Sequence, residues 1–176
     1  MTDPAAAHLA ADLIRRYRTR DPFLIAENLG IEVMKRAFSK QKGAFRVILG
    51  VKFIFINENL SEEMQTLVCA HELGHALLHP QYGENEFLAE FEIFDLRSST
   101  EYDANVFAAC LLIDREEMME NFRDGMDVVQ NARALNTNAN VLLLLLNEMN
   151  RGGEKFSLPM RAKSTFLGDI GDNADY

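Results

Sequence analysis

The chain shows two kinds of apolar pattern, one with the spacing of helices and one with the density of strands. Apolar side chains three and four residues apart predict a first helix over residues 5–20. Asp21 is then a helix N-cap with Pro22 at the first helical position, and Gly30 is typical of the residue just past a helix end. The sequence therefore predicts a short second helix over residues 22–29.

Segments rich in Phe, Val and Ile come next and predict a small sheet over residues 31–57. Residues 44–49 and 51–57 flank Gly50, which is the arrangement of a hairpin. Together with the extended segment before them, they would make a three-stranded antiparallel sheet. The last strand is apolar on both faces apart from Lys52, so we expect a helix to cover one of its faces.

Helical patterns fill most of the sequence after the sheet. One helix is predicted over residues 62–79, with Ser61 as its N-cap and Pro80 at its end. Another is predicted over residues 100–113, and further helices continue to residue 150. The predicted fold class is α+β, with the sheet packed on helix 62–79 between a helical N-terminus and a helical C-terminal half.

The length and composition favour one domain. A chain of 176 residues with 48% hydrophobic content can bury one core but is too short for two domains of average size. We therefore expect residues 1–152 to form a single domain. The polar residues 153–176 have too little apolar surface to fold alone and are expected to be a partly disordered tail.

Charge and cysteine content narrow the range of partners and compartments. The net charge of −9 and the pI near 4.9 argue against direct binding to nucleic acid, which needs clustered Lys and Arg. Cys69 and Cys110 lie in apolar helical patterns without a CxxC spacing, as buried thiols do in a reducing compartment. The longest apolar run, residues 141–146, is far shorter than the roughly 20 residues of a membrane span. We expect a cytoplasmic protein that does not enter a membrane.

The helix at 62–79 contains the strongest chemical signal in the sequence, the motif HELGH. His71 and His75 are one helical turn apart, so two imidazole nitrogens can reach one zinc ion, and Glu72 lies beside them as a potential general base. The alternative is a buried helix that contains these residues by coincidence. Burying three polar side chains without mutual contacts would cost several kcal/mol. Gly74 weakens the helix by about 1 kcal/mol, which suggests that another backbone approaches there.

A catalytic zinc site usually has three protein ligands, and the third is not in the motif. His79 is eight residues after His71, too far along the helix for one ion to bind it together with both motif histidines. The predicted helix 100–113 offers Glu101 and Asp103, and helical phase alone does not choose between them. Asn105 is one turn beyond Glu101 and could orient a ligating histidine.

These motifs resemble those of the ImmA/IrrE family of bacterial and phage metalloendopeptidases. The shared features are HELGHALLH and the pattern E-x-x-A-N-x-F-A-A-x-L-L at residues 101–112, and the similarity extends over about residues 5–150. The resemblance implies one zinc ion bound by His71, His75 and Glu101. It also implies that Glu72 activates water and that Asn105 supports a ligand.

The resemblance further implies a helix-turn-helix repressor of the Xre type as the protein substrate, whose cleavage relieves repression of a mobile element or a stress response. The substrate backbone could pair with the sheet edge as an added strand. Tyr102 and His79 are candidate contacts to the substrate or to the oxyanion. The alternative function is a zinc-containing regulator or toxin-like partner that binds a transcription factor without cutting it.

Overall fold

The computed structural model describes residues 5–84 and 99–157. Within these ranges it contains seven α-helices, one 3-10 turn and a three-stranded sheet, so the α+β fold class predicted from the sequence is confirmed. The part of the predicted tail from residue 158 onward lies outside the described residues. In chain order the elements are α1 (Ala5–Tyr17), α2 (Pro22–Asn28), β1 (Glu32–Arg36), β2 (Gly43–Ile48), β3 (Val51–Asn57), α3 (Glu62–Leu78), the 3-10 turn Pro80–Glu84, α4 (Ser99–Leu112), α5 (Arg115–Arg123), α6 (Val128–Ala134) and α7 (Ala139–Arg151).

Local capping contacts place the ends of α2 and the start of α3 as the sequence predicted. The side chain of Asp21 accepts a hydrogen bond from the backbone N–H of Phe23 at 2.9 Å. Gly30 follows α2 with a φ of 71°, a left-handed conformation that favours glycine. The hydroxyl of Ser61 accepts from the backbone N–H of Met64 at the start of α3.

α1 is shorter than predicted, and the residues after it hold α4. It ends at Tyr17 because Arg18 adopts a φ of 56°, outside the right-handed helical range. The chain then brings Arg20 to the C-terminal end of α4, where its guanidinium donates to three backbone carbonyls and pairs with Asp114 at 3.0 Å. The three carbonyls belong to Cys110, Leu111 and Ile113. Arg20 thus satisfies acceptors that a helix end leaves without partners.

The sheet is mixed, and the prediction that it is wholly antiparallel is wrong. Its strand order is β1-β3-β2, with β2 and β3 forming the predicted antiparallel hairpin but β1 running parallel to β3. The loop between β1 and β2 crosses the end of β3, where the side chain of Asn57 donates to the carbonyls of Phe38 and Gln41. The loop passes over β3. As a result, β1 and β2 lie on opposite sides of β3 and run in opposite directions.

α3 lies between the sheet and the other helices. Ile54 and Ile56 of β3 are fully buried on the face that packs against the helices, which confirms that β3 is covered on one side. On its other side α3 packs against α4, and α4 in turn packs against α1 and α7. This layering places the middle of α3, with its HELGH motif, at the centre of the described structure.

Gly74 allows the backbones of α3 and α4 to come close together. A Cβ atom at this position would lie 3.1 Å from the Cα atom of Ala104, 3.3 Å from its carbonyl oxygen and 3.1 Å from Cδ1 of Phe107. The approach of a second backbone, predicted from the presence of this glycine, is therefore confirmed. It brings the N-terminal half of α4 against the motif.

Candidate metal centre

Three potential ligands converge between α3 and α4. His71 and His75 come from α3 and Glu101 from the first turn of α4, and each is at most 6% exposed. The two Nε2 atoms are 3.1 Å apart, and the Glu101 carboxylate oxygens lie 3.3 Å from Nε2 of His71 and 3.1 Å from Nε2 of His75. We call these three residues the His–His–Glu cluster. Its atoms are close enough together to bind a single metal ion.

The spacing of these atoms fits zinc. Four ligands arranged as a tetrahedron at about 2.0–2.1 Å from zinc are separated from one another by about 3.3 Å. The observed separations of 3.1 to 3.3 Å are close to that spacing, with Nε2 of His71 facing one oxygen of the Glu101 carboxylate and Nε2 of His75 facing the other. Two imidazoles and one carboxylate are also a donor set that zinc accepts in catalytic sites, with the fourth corner left for water.

Asn105 fixes the orientation of one ligand. Its side-chain oxygen lies 3.0 Å from Nδ1 of His71, and both side chains are buried. Because an amide oxygen only accepts hydrogen bonds, Nδ1 of His71 carries the proton and donates it. Nε2 of His71 faces the Glu101 carboxylate in the His–His–Glu cluster, and it is the nitrogen through which His71 would bind a metal ion.

The two buried carboxyl groups of the site differ in their protonation behaviour. Burial raises the pKa of Glu101, but hydrogen bonds from His71 and His75 outweigh it and hold that pKa well below its usual range. Burial raises the pKa of Glu72 to about 7, with a further upward contribution from the Glu101 charge and opposing ones from neighbouring groups. One carboxylate is therefore suited to bind a cation, and the other to exchange a proton near neutral pH.

Strand β2 runs directly beside Glu72. The backbone N–H of Phe45 and the charge of Arg46 both oppose the rise in the pKa of Glu72. Gly43 lies nearby, and a Cβ atom on it would be 3.3 Å from Cγ of Glu72 and 2.4 Å from Cγ1 of Val68. The sequence analysis identified neither Phe45 nor Arg46, because a backbone donor leaves no mark in a sequence and a single cation in a strand is ordinary.

The other residues considered as ligands or substrate contacts lie around the cluster. Asp103 is not part of it, since its carboxylate instead faces Nε2 of His79 at 3.5 Å. Burial is the main cause that lowers the pKa of His79, whose ring centre is 6.2 Å from that of His75. The hydroxyl of Tyr102 donates to Glu148 of α7, which directs it away from the cluster. The roles of His79 and Tyr102 toward a substrate stay predictions.

Two further features bear on the type of protein. None of the helices in the described part of the chain reaches the length and apolar character of a bilayer span. Cys69 is buried within α3 and Cys110 is half-buried within α4, both as free thiols.

Comparisons with known proteins place these residues in a family. Residues 26–147 match the Peptidase M78 family, described as an IrrE N-terminal-like domain, and this range contains the whole His–His–Glu cluster and Glu72. The chain is also 36% identical over 102 residues to "Uncharacterized immunity region protein 2" of Bacillus phage phi105, a match that covers 57% of this chain and 63% of the phage protein. The chain spans less than two thirds of the length of that relative. It belongs to the Peptidase M78 family of IrrE N-terminal-like, or ImmA/IrrE, metallopeptidases.

Proposed function

We propose that this chain is a zinc-dependent endopeptidase. The observation that carries the proposal is the His–His–Glu cluster, with ligand atoms 3.1 to 3.3 Å apart and the buried carboxyl group of Glu72 beside it. A zinc ion held there would polarise a peptide carbonyl and lower the pKa of a water molecule at its open position.

Glu72 is the proposed general base. Its pKa of about 7 allows it to accept a proton from water and then donate it to the leaving amine near neutral pH. The backbone N–H of Phe45, which favours the charged form of Glu72, would help to hold the carboxylate in place during this exchange. Asn105 would keep His71 in the tautomer that binds metal.

The edge of β2 is the proposed binding site for the substrate backbone. The carbonyl of Lys42 accepts from the N–H of Asn57, and this register continues with Ala44 opposite Phe55. Even-numbered residues of β2 therefore bond to β3, and the backbone groups of odd-numbered residues face away from it. Phe45 is one of these, so a substrate strand added at this edge would pass beside Glu72.

Of the two residues considered as oxyanion contacts, His79 is the better placed. It is the residue directly after α3, its ring centre is 6.2 Å from that of His75, and its Nε2 atom lies 3.5 Å from the Asp103 carboxylate. The Tyr102 hydroxyl is occupied by Glu148 and by Arg151, whose Nη1 donates to it at 2.6 Å. We therefore assign the proposed contact with the reacting carbonyl to His79.

The proposed substrate is a helix-turn-helix repressor of the Xre type, which would place the activity in the cytoplasm. This specificity follows from the resemblance to ImmA/IrrE proteins. The name of the phage relative, an immunity region protein, supports it.

The experiment is incubation of the zinc-loaded chain with a helix-turn-helix repressor of the Xre type, taken from the genes next to that of this chain, followed by mass spectrometry. Glu72→Gln removes the proposed base while conserving its shape, and Glu63→Gln neutralises an exposed carboxylate in the same helix as a matched control. We expect a single cut with wild type and Glu63→Gln and none with Glu72→Gln. An intact repressor that co-purifies with all three proteins would instead favour a regulator that binds without cutting.

A further inference from the structure

The sheet is a basic region in an acidic protein. Residues 33–57 contain six of the 18 Lys and Arg residues of the chain and none of its 27 Asp and Glu residues. The six are Lys35, Arg36, Lys40, Lys42, Arg46 and Lys52. The proposed substrate edge belongs to this region, although the net charge of the chain is −9.

Among these six residues, Arg46 is the one that lies on β2, the strand at the proposed substrate edge. Its Nη1 atom donates to the carbonyl of Phe45 at 2.8 Å, and the side chain is partly buried. The N–H of the same Phe45 and the charge of Arg46 both act on the Glu72 carboxyl group. The Phe45 carbonyl is thus engaged within the chain by Arg46, close to the proposed base.

A substrate strand that pairs with β2 must take over the Phe45 carbonyl. An incoming backbone N–H would replace the guanidinium as the donor to that oxygen. Arg46 would then need another acceptor at the edge of the groove. A carboxylate meets this need best, because it accepts two parallel hydrogen bonds from a guanidinium and neutralises its charge.

Building on the proposed peptidase function, we infer that Arg46 determines specificity by selecting substrates with an Asp or Glu side chain beside the scissile bond. A neutral segment has to displace Arg46 without offering it a new partner. With an acidic segment, Arg46 exchanges the Phe45 carbonyl for a carboxylate, which is a stronger hydrogen-bond acceptor. The positive charges of the sheet also attract such a segment. The preferred substrate segment is therefore acidic, although an acidic enzyme would by net charge favour a basic one.

The first test is a cleavage profile on a peptide library prepared from a whole-proteome digest and analysed by mass spectrometry. The proteins compared are the zinc-loaded wild type, Arg46→Gln and Arg36→Gln, the last of which removes the same charge from β1. We expect cuts by wild type and Arg36→Gln to be enriched about tenfold in Asp or Glu at one position near the cut, as one charge-assisted hydrogen bond would give. Arg46→Gln should lose this enrichment. Enrichment that is absent from wild type or retained by Arg46→Gln would overturn the inference.

The second test measures binding and does not depend on cleavage. Its probes are two fluorescein-labelled decapeptides, one of alternating Val and Glu and one of alternating Val and Gln. Their binding is measured by fluorescence anisotropy at a fixed salt concentration. Wild type and Arg36→Gln should bind the Glu peptide more tightly by about tenfold, and Arg46→Gln should bind the two peptides nearly equally. Arg46→Lys keeps the positive charge but loses the planar guanidinium group that can donate two parallel hydrogen bonds. It should therefore retain only part of the preference for the Glu peptide.

The two tests separate the inference from the proposed function. If wild type cuts no peptide but shows the charge preference in binding through Arg46, the peptidase proposal fails and the recognition of acidic segments stands. If wild type cuts peptides and Arg46→Gln leaves both cleavage and binding preferences unchanged, the peptidase proposal stands and the role of Arg46 is wrong.

Discussion

A single methyl group at Gly74 tests whether the contact between α3 and α4 sets the geometry of the metal centre. In Gly74→Ala the new Cβ atom would lie 3.1 Å from the Cα atom of Ala104 and 3.1 Å from Cδ1 of Phe107. The first of these two obstacles is backbone, which cannot rotate away as a side chain can. The two helices must therefore move apart by a few tenths of an ångström, and this displaces the motif histidines from Glu101.

Two opposing effects decide the change in stability. Alanine favours a helix interior over glycine by about 1 kcal/mol. Overpacking of a close contact costs about 1–3 kcal/mol. We expect the second to prevail, with a net loss of about 1 kcal/mol in the free energy of unfolding, or about 2–4 °C in Tm for a chain of this size. Zinc affinity should fall about tenfold, as it does when the orientation of a ligand is disturbed.

The assays are thermal unfolding of the metal-free protein and zinc titration against a chromophoric chelator. Gly152→Ala is the matched control, because Gly152 ends α7 with a φ of −72°, which alanine adopts readily, and the new Cβ atom would meet only carbonyl oxygens of α7 itself, at 3.3 and 3.6 Å. It should leave zinc affinity unchanged. A Gly74→Ala protein with a higher Tm and wild-type zinc affinity would show that the helices have room to spare and that their contact does not set the metal geometry.

The remaining predictions concern the hydrogen bond between His71 and Asn105, the binding of the metal, and the cap that Asp114 forms at the start of α5. Asn105→Leu should weaken zinc binding about 10–100-fold at unchanged helix content by circular dichroism, because Nδ1 of His71 loses its acceptor; wild-type affinity would refute this. Zinc at a thousand times its Kd should stabilise the fold by about 4 kcal/mol, on the order of 10 °C in Tm, and equal Tm values with zinc and with chelator would contradict a folded metal site. The pKa of Asp114 is lowered by hydrogen bonding from the Glu117 backbone and by Arg20, so its stabilising effect is complete above its ordinary pKa of 3.8 and is lost as the pH falls through the lower folded value. Urea unfolding from pH 5 to pH 2 should therefore show a smaller loss of stability in Asp114→Asn than in wild type.

The sequence predicted the parts of the site that depend on local geometry. The one-turn spacing of His71 and His75 needs only a helix to bring both side chains to one face, and the cap at Ser61 defines that helix. The close backbone approach at Gly74 was also predictable, because a glycine in a helix interior is unfavourable unless something requires the space.

The sequence could not choose the third ligand by itself. α4 is buried on most of its circumference, so its apolar pattern does not mark one inward face, and both Glu101 and Asp103 were compatible with it. The contact with α3 distinguishes them, since Glu101 faces the two motif histidines and Asp103 faces His79. The choice between Glu101 and Asp103 depends on how α4 is rotated relative to α3. The periodicity of one helix gives no information about that rotation.

Strand order was beyond the sequence for a related reason. Alternation of side chains predicts strands but not their neighbours, and the nearest strand in sequence is the usual partner. Here the Asn57 side chain holds the loop that carries the chain across β3, so β1 pairs with β3 instead of β2. The same arrangement leaves β2 as an edge strand of the described sheet, and thereby gives Arg46 its position beside Glu72.

The position of Glu101 depends on contacts made all along α4. Near its start, Tyr102 is hydrogen bonded to α7; in the middle, Ala104 lies against Gly74; at its end, Arg20 binds the terminal carbonyls. Arg20 and the helix before it precede residues 26–147, the part of the chain that matches the family. The geometry of the His–His–Glu cluster is thus a property of several packed helices, because a shift of α4 at any of these contacts moves Glu101 while leaving the HELGH motif intact.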